Sequence, residues 1–94
     1  MQVTVQLAGF PAPPAGFEGS KEVLMDFPGN SLGDLVKYLL SCMEGEAEEL
    51  FLTGPLELSP DLVTIVNGIA VSDSNRFHLP LSEGDRIELV SSPG

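Results

Sequence analysis

The two ends of the sequence carry the same pattern, and that pattern leaves few folds open. In residues 2–8, Val3, Val5 and Leu7 alternate with Gln2, Thr4 and Gln6; in residues 86–90, Ile87 and Leu89 alternate with Arg86, Glu88 and Val90. A period of two marks a strand with one buried face. Two such clear strands at opposite ends of one chain predict that the ends meet at the centre of a sheet. With an amphipathic helix available between them, they are expected to be adjacent and parallel, because parallel neighbours need a crossover that a tight turn cannot supply.

The sequence holds one main candidate for that crossover. Ser31 followed by Asp34 approximates a capping box, with Asp in place of the usual Glu or Gln. Leu32, Leu35, Val36, Leu39 and Met43 follow at helical spacing, one apolar stripe, and Gly45 is a plausible stop. Before the helix, Val23, Met25 and Phe27 alternate with Glu22, Leu24 and Asp26, so this run and the first strand suggest a hairpin across the Pro- and Gly-rich residues 9–20. After it, the pattern predicts a second, short helical piece over 46–52 and an irregular stretch around Gly54, Pro55 and Pro60. A β-branched strand follows at 62–66. Asn67-Gly68 is a strong hairpin signal, because both residues accept positive φ, so 69–71 should return as a short strand. The Ser82–Asp85 turn then leads to the last strand. The expected fold is α+β, a mixed sheet with one main helix packed across it. Ninety-four residues suit a single domain, 1–94, with a flexible tail at 91–94.

Charge and composition narrow the function. Four basic residues oppose fourteen acidic ones, a net charge of −10. Nucleic acid and anionic membrane are bound mainly through Lys and Arg, so neither is an expected partner, and a positively charged protein is the natural complement. A lone cysteine, Cys42, makes no internal disulfide, and one Cys with one His, His78, does not suggest a zinc site. The Glu44, Glu46, Glu48 and Glu49 run lacks the alternating oxygen ligands of a calcium loop and reads as a solvated face. His78 has no legible acid or nucleophile partner, and Cys42 has no basic flank to favour thiolate. Catalytic and metal-ligating residues are therefore expected to be none. With no apolar run near the ~20 residues of a membrane span and no visible signal peptide, the chain reads as cytoplasmic.

The C-terminus is the unusual part. Val90 is an apolar residue on the outward face of the last strand, and Ser91, Ser92, Pro93 and Gly94 after it are too small to bury much. Such a tail is either a frayed end or a thin probe that offers its carboxylate to another protein's active site.

Val66-Asn67-Gly68, the Leu81–Asp85 turn, Arg86–Val90 and the small-residue tail together resemble the ThiS/MoaD sulfur carriers, small ubiquitin-like proteins of the β-grasp fold. The resemblance runs through the whole chain in element order, with its specific motifs confined to 62–94. It implies a protein that is not itself an enzyme and binds no cofactor. Its C-terminal glycine would be adenylated, with ATP, by a ubiquitin-activating-type adenylating enzyme and converted to a thiocarboxylate. A downstream sulfur-accepting synthase would then use that sulfur in molybdopterin, tungstopterin or thiamin biosynthesis. Carried over, the resemblance makes Gly94 the activated residue, Ser91, Ser92 and Pro93 the segment entering the partner, and Val90 with Ala70 the docking face. Family tails close on Gly-Gly where this one reads Ser92-Pro93-Gly94, so activation is expected at Gly94 or at a glycine just beyond it. The alternative is a ubiquitin-like interaction module that is never activated.

Overall fold

The computed structural model describes residues 1–9, 16–17, 19, 21–42, 51–54, 57–71 and 76–91. Its strands are β1 (Gln2–Ala8), β2 (Glu22–Asp26), β3 (Leu52–Gly54), β4 (Glu57–Leu58), β5 (Leu62–Val66), β6 (Ile69–Val71) and β7 (Arg86–Ser91), with helix α1 at Leu32–Ser41 and a 3-10 turn at Arg76–His78. Five strands form one sheet in the order β2-β1-β7-β5-β6, while β3 and β4 make a small separate pair. The two end strands are adjacent and parallel, from Thr4 beside Arg86 to Ala8 beside Val90, as their alternation predicts. The other neighbours in this sheet, β2 on β1, β5 on β7 and β6 on β5, are antiparallel.

The core follows from the two periods. Val3, Val5, Leu7, Ile87 and Leu89 from the strands and Leu32, Leu35, Val36 and Leu39 from α1 are all buried in one cluster, which Phe17, Phe27, Phe51 and Phe77 join. Each large apolar side chain removed from water in this way contributes roughly 1.5–3 kcal/mol.

The helix begins as its capping residues require. Ser31 Oγ accepts the Asp34 backbone N–H at 3.2 Å, and an Asp34 carboxylate oxygen accepts the Asn30 N–H at 3.2 Å. Asp is one methylene shorter than the usual Glu, and its oxygen settles on the N–H one residue before the cap. The Asn30 N–H first, and then the Ser31 hydroxyl, hold the Asp34 carboxyl below its ordinary value. Gly33 lets the first turn lie against Phe77, whose ring occupies the space a β-carbon would need. Backbone bonds from Leu32 N–H to the Leu79 carbonyl and from Leu81 N–H to the Asn30 carbonyl stitch the helix start to the segment before β7.

Three expectations change. Leu52, expected at the end of a helical piece over 46–52, belongs to β3 and pairs with Leu58, while Phe51 before it is helical as expected; residues 46–50 lie outside the described residues. The stretch read as irregular holds the β3–β4 pair, because Phe51 and Leu58 are both drawn into the core and the backbone between them needs partners. Ser91, expected in the tail, is the last residue of β7, since Leu62 at the start of β5 gives it a ladder partner. Met43 and Gly45 also lie outside the described residues.

Candidate functional site

Residues directly opposite one another on neighbouring strands share a face of the sheet. On the face turned away from α1, Ala8, Val90 and Val63 therefore form one row across β1, β7 and β5. The next row runs across all five strands: Glu22, Gln6, Glu88, Ile65 and Ala70. A third holds Leu24, Thr4 and Arg86. This outer face is apolar toward β5 and, apart from the exposed Leu24, polar toward β2, where Arg86 reaches across β1 to an ion pair with Glu22.

Val90 and Ala70 are thus on one face, as the resemblance implies, but they do not touch as strand neighbours. β5 lies between them, and its Val63 and Ile65 complete the apolar group. Val63 is 40% exposed, Val90 and Ile65 are half-buried, and Ala70 is exposed. Sequence reasoning missed Ala8, Val63 and Ile65. The run 62–66 has apolar side chains on both faces, so its alternation is hidden until the pairing with β7 sets the register.

The start of β7 is clipped to the β5–β6 turn. Asn67 has a φ of 52° and Gly68 one of 82°, the left-handed pair that a two-residue hairpin turn needs. The Asn67 side chain does more than tolerate this backbone. Its Oδ1 accepts the Arg86 N–H at 2.9 Å, its Nδ2 donates to Asp85 at 3.1 Å, and its own N–H donates to the Arg86 carbonyl at 2.8 Å. The strand that leads to the C-terminal residues is therefore held at its first residue as well as along both edges. At its far end Ser91 is half-buried beside Leu62. Ser92, Pro93 and Gly94 lie outside the described residues.

The two residues with intrinsic reactivity sit elsewhere. His78 is exposed at the end of the 3-10 turn, its ring edge-on to Phe77 at 5.3 Å. Cys42 is exposed at the C-cap of α1, where its N–H bonds the Leu39 carbonyl at 3.0 Å. Among the described residues, no group of three or more His, Cys, Asp or Glu could hold a metal ion, and no helix is long and apolar enough to cross a membrane.

A helix packed on a five-stranded mixed sheet, with parallel end strands at its centre and a hairpin at each edge, is the ubiquitin-like β-grasp fold. The chain is similar to the solution structure of Urm1 from Trypanosoma brucei, with a TM-score of 0.68 over 98% of this chain and 92% of that one, at 23% sequence identity. No protein-family model matches the sequence, and no curated protein matches it significantly.

Proposed function

We propose that this protein is a ubiquitin-like sulfur carrier, activated at its C-terminus by a ubiquitin-activating-type adenylating enzyme. One observation supports this most: the strand from which residues 92–94 continue is the central strand of the sheet, held on both edges, in a fold that matches Urm1 over nearly its whole length. A strand paired on both edges fixes the point from which the chain after it departs. That is what a narrow channel in a partner requires. The motifs in residues 62–94 that resemble the ThiS/MoaD carriers point the same way.

In this reading the terminal carboxylate, on Gly94 or a glycine just beyond it, attacks the α-phosphorus of ATP. Pyrophosphate leaves and an acyl-adenylate forms. Sulfide-level sulfur then attacks the acyl carbon, the C–O bond to AMP breaks, and a thiocarboxylate remains. The carrier supplies no catalytic group. The partner supplies the nucleotide, the positioning and the charge stabilisation. Glycine at the end admits the tail to a channel that any side chain would obstruct, and the outer-face group of Val90, Val63, Ile65 and Ala70 docks on an apolar patch with a basic rim. The carrier works in the cytoplasm and hands its sulfur to a synthase of molybdopterin, tungstopterin or thiamin biosynthesis.

The test is intact mass after incubation with the cognate adenylating enzyme, ATP and a sulfur source, on the 94-residue chain and on a form extended to a terminal Gly-Gly. Exchange of one oxygen for sulfur in the extended form is the expected result. The apolar row Ala8, Val90, Val63 favours a second reading, a module that binds through this face and is never activated. That reading wins if neither form gains sulfur or an adenylate from an enzyme that demonstrably binds it.

A further inference from the structure

We propose that Gly9 is a positioning residue for the C-terminal tail: it sets the orientation of the Ser91–Ser92 peptide and so the direction in which the tail leaves the sheet. The inference rests, for its functional consequence, on the sulfur-carrier reading.

The parallel ladder between β1 and β7 ends at the pair Ala8–Val90. There β1 turns aside, with Gly9 at a φ of +77°, while β7 runs on to Ser91, still paired with Leu62 of β5. On the β1 side the Ser91 carbonyl consequently meets the bare α-carbon of Gly9. A β-carbon at position 9 would lie 2.5 Å from the Ser91 carbonyl oxygen and 3.5 Å from both its carbonyl carbon and its nitrogen. The first of these distances is well inside van der Waals contact, and the obstacle is backbone rather than a side chain that can swing away.

Two facts limit how the strain of a side chain at position 9 could be relieved. Leu62, on the opposite side of Ser91, is 1% exposed and belongs to the core, so Ser91 cannot retreat as a body. The peptide that contains the Ser91 carbonyl is a rigid plane that also contains the Ser92 nitrogen. The carbonyl therefore moves by rotation of that plane, which swings the first bond of the tail. A reacting carboxylate misplaced by about 1 Å can lose up to about a hundredfold in rate.

Gly84 provides the control. Its φ is +85°, the same left-handed region, but a β-carbon there meets nothing within 4 Å. Gly84→Ala carries the backbone cost of a side chain at positive φ without the collision. Gly9→Ala carries both. Two measurements on the intact chain separate the alternatives. The first is the orientation of the Ser92 N–H vector relative to the sheet, from residual dipolar couplings. It should change in Gly9→Ala and not in Gly84→Ala. The second is activation by the adenylating enzyme, followed by ATP–pyrophosphate exchange on the form shown by mass to be activated, at a temperature where both variants remain folded. In Gly9→Ala, kcat/KM should fall about ten- to a hundredfold, while the Kd for the enzyme stays within about twofold. Gly84→Ala should match the parent in both. An unchanged Ser92 vector in Gly9→Ala, equal behaviour of the two variants, or a reoriented vector with an unchanged kcat/KM overturns the proposal. If the parent chain is never activated, the carrier reading fails by itself, and the vector measurement alone decides whether Gly9 directs the tail.

Discussion

The inner and outer faces of the main sheet are built from the same strands, yet they answer to different demands. On β1 and β7 the inner residues Val3, Val5, Leu7, Ile87 and Leu89 are all at or below 2% exposure against α1, and every one is aliphatic. Their outer neighbours Thr4, Gln6, Ala8, Glu88 and Val90 are half-buried and chemically mixed. The inner face must exclude water, so packing dictates its composition. The outer face costs the fold little whatever it carries, which leaves it available for recognition. Leu89 and Val90 are adjacent in the chain and fall on opposite sides of this division.

That contrast should break first, and most visibly, at these two residues. Leu89→Ala deletes methyl and methylene groups from a filled core and should cost about 3 kcal/mol, against about 1 kcal/mol or less for Val90→Ala, read from urea denaturation midpoints. Equal losses would mean that the outer face is also part of the core. Thr64 is an exception within the inner face: it is 1% exposed, and its hydroxyl has no hydrogen-bond partner among the described residues. Thr64→Val keeps the shape and removes the buried hydroxyl, so it should stabilise the domain by about 1 kcal/mol in the same assay. A loss of stability would place a hydrogen-bond partner at that hydroxyl.

On the outer side, Val90→Asp should change stability by about 1 kcal/mol or less while weakening binding to the adenylating enzyme, measured by calorimetry at several salt concentrations. Affinity indistinguishable from the parent would take Val90 out of the docking face. The smallest effect belongs to Asp34, at the edge of both environments. Its folded-state pKa is lowered, so the folded chain holds that proton less readily than the unfolded one. The stabilisation it provides is complete above the ordinary Asp value of about 4 and is lost as pH falls through the lowered folded value. The stability difference between the parent and Asp34→Ala should therefore be constant near neutrality and shrink in acid. A difference that persists undiminished below that range would show that the Asp34 side chain stabilises the helix start by something other than its charge.

Thr64 also shows where polarity stops being a guide to the fold. In Leu62-Val63-Thr64-Ile65-Val66 the one polar residue would be placed outside by pattern, yet pairing with Leu89 turns it inward and sends Val63 and Ile65 out. Of the outer-face apolar group, only Val90 and Ala70 were legible in the sequence. Its other members depended on a register that β5 does not carry in its own residues. Leu52 is a similar case, since its strand exists only because Leu58, six residues on, pairs with it.

Sequence alone was enough wherever one element satisfies its own physics. The alternation at 2–8 and 86–90, the Ser31–Asp34 cap before an apolar stripe, and the Asn67-Gly68 turn each encode a local conformation in neighbouring side chains. The parallel alignment of the two ends was an inference from those patterns, and the sheet order bears it out. Tertiary structure decided what depends on partners far along the chain: Asn67 clipping the start of β7, Arg86 paired with Glu22 across β1, and Ser91 held between Leu62 and Gly9. A side chain's period is written beside it in the sequence. The distance from Gly9 to a carbonyl 82 residues later exists only after the sheet has closed, because the strands between them must first agree on a register.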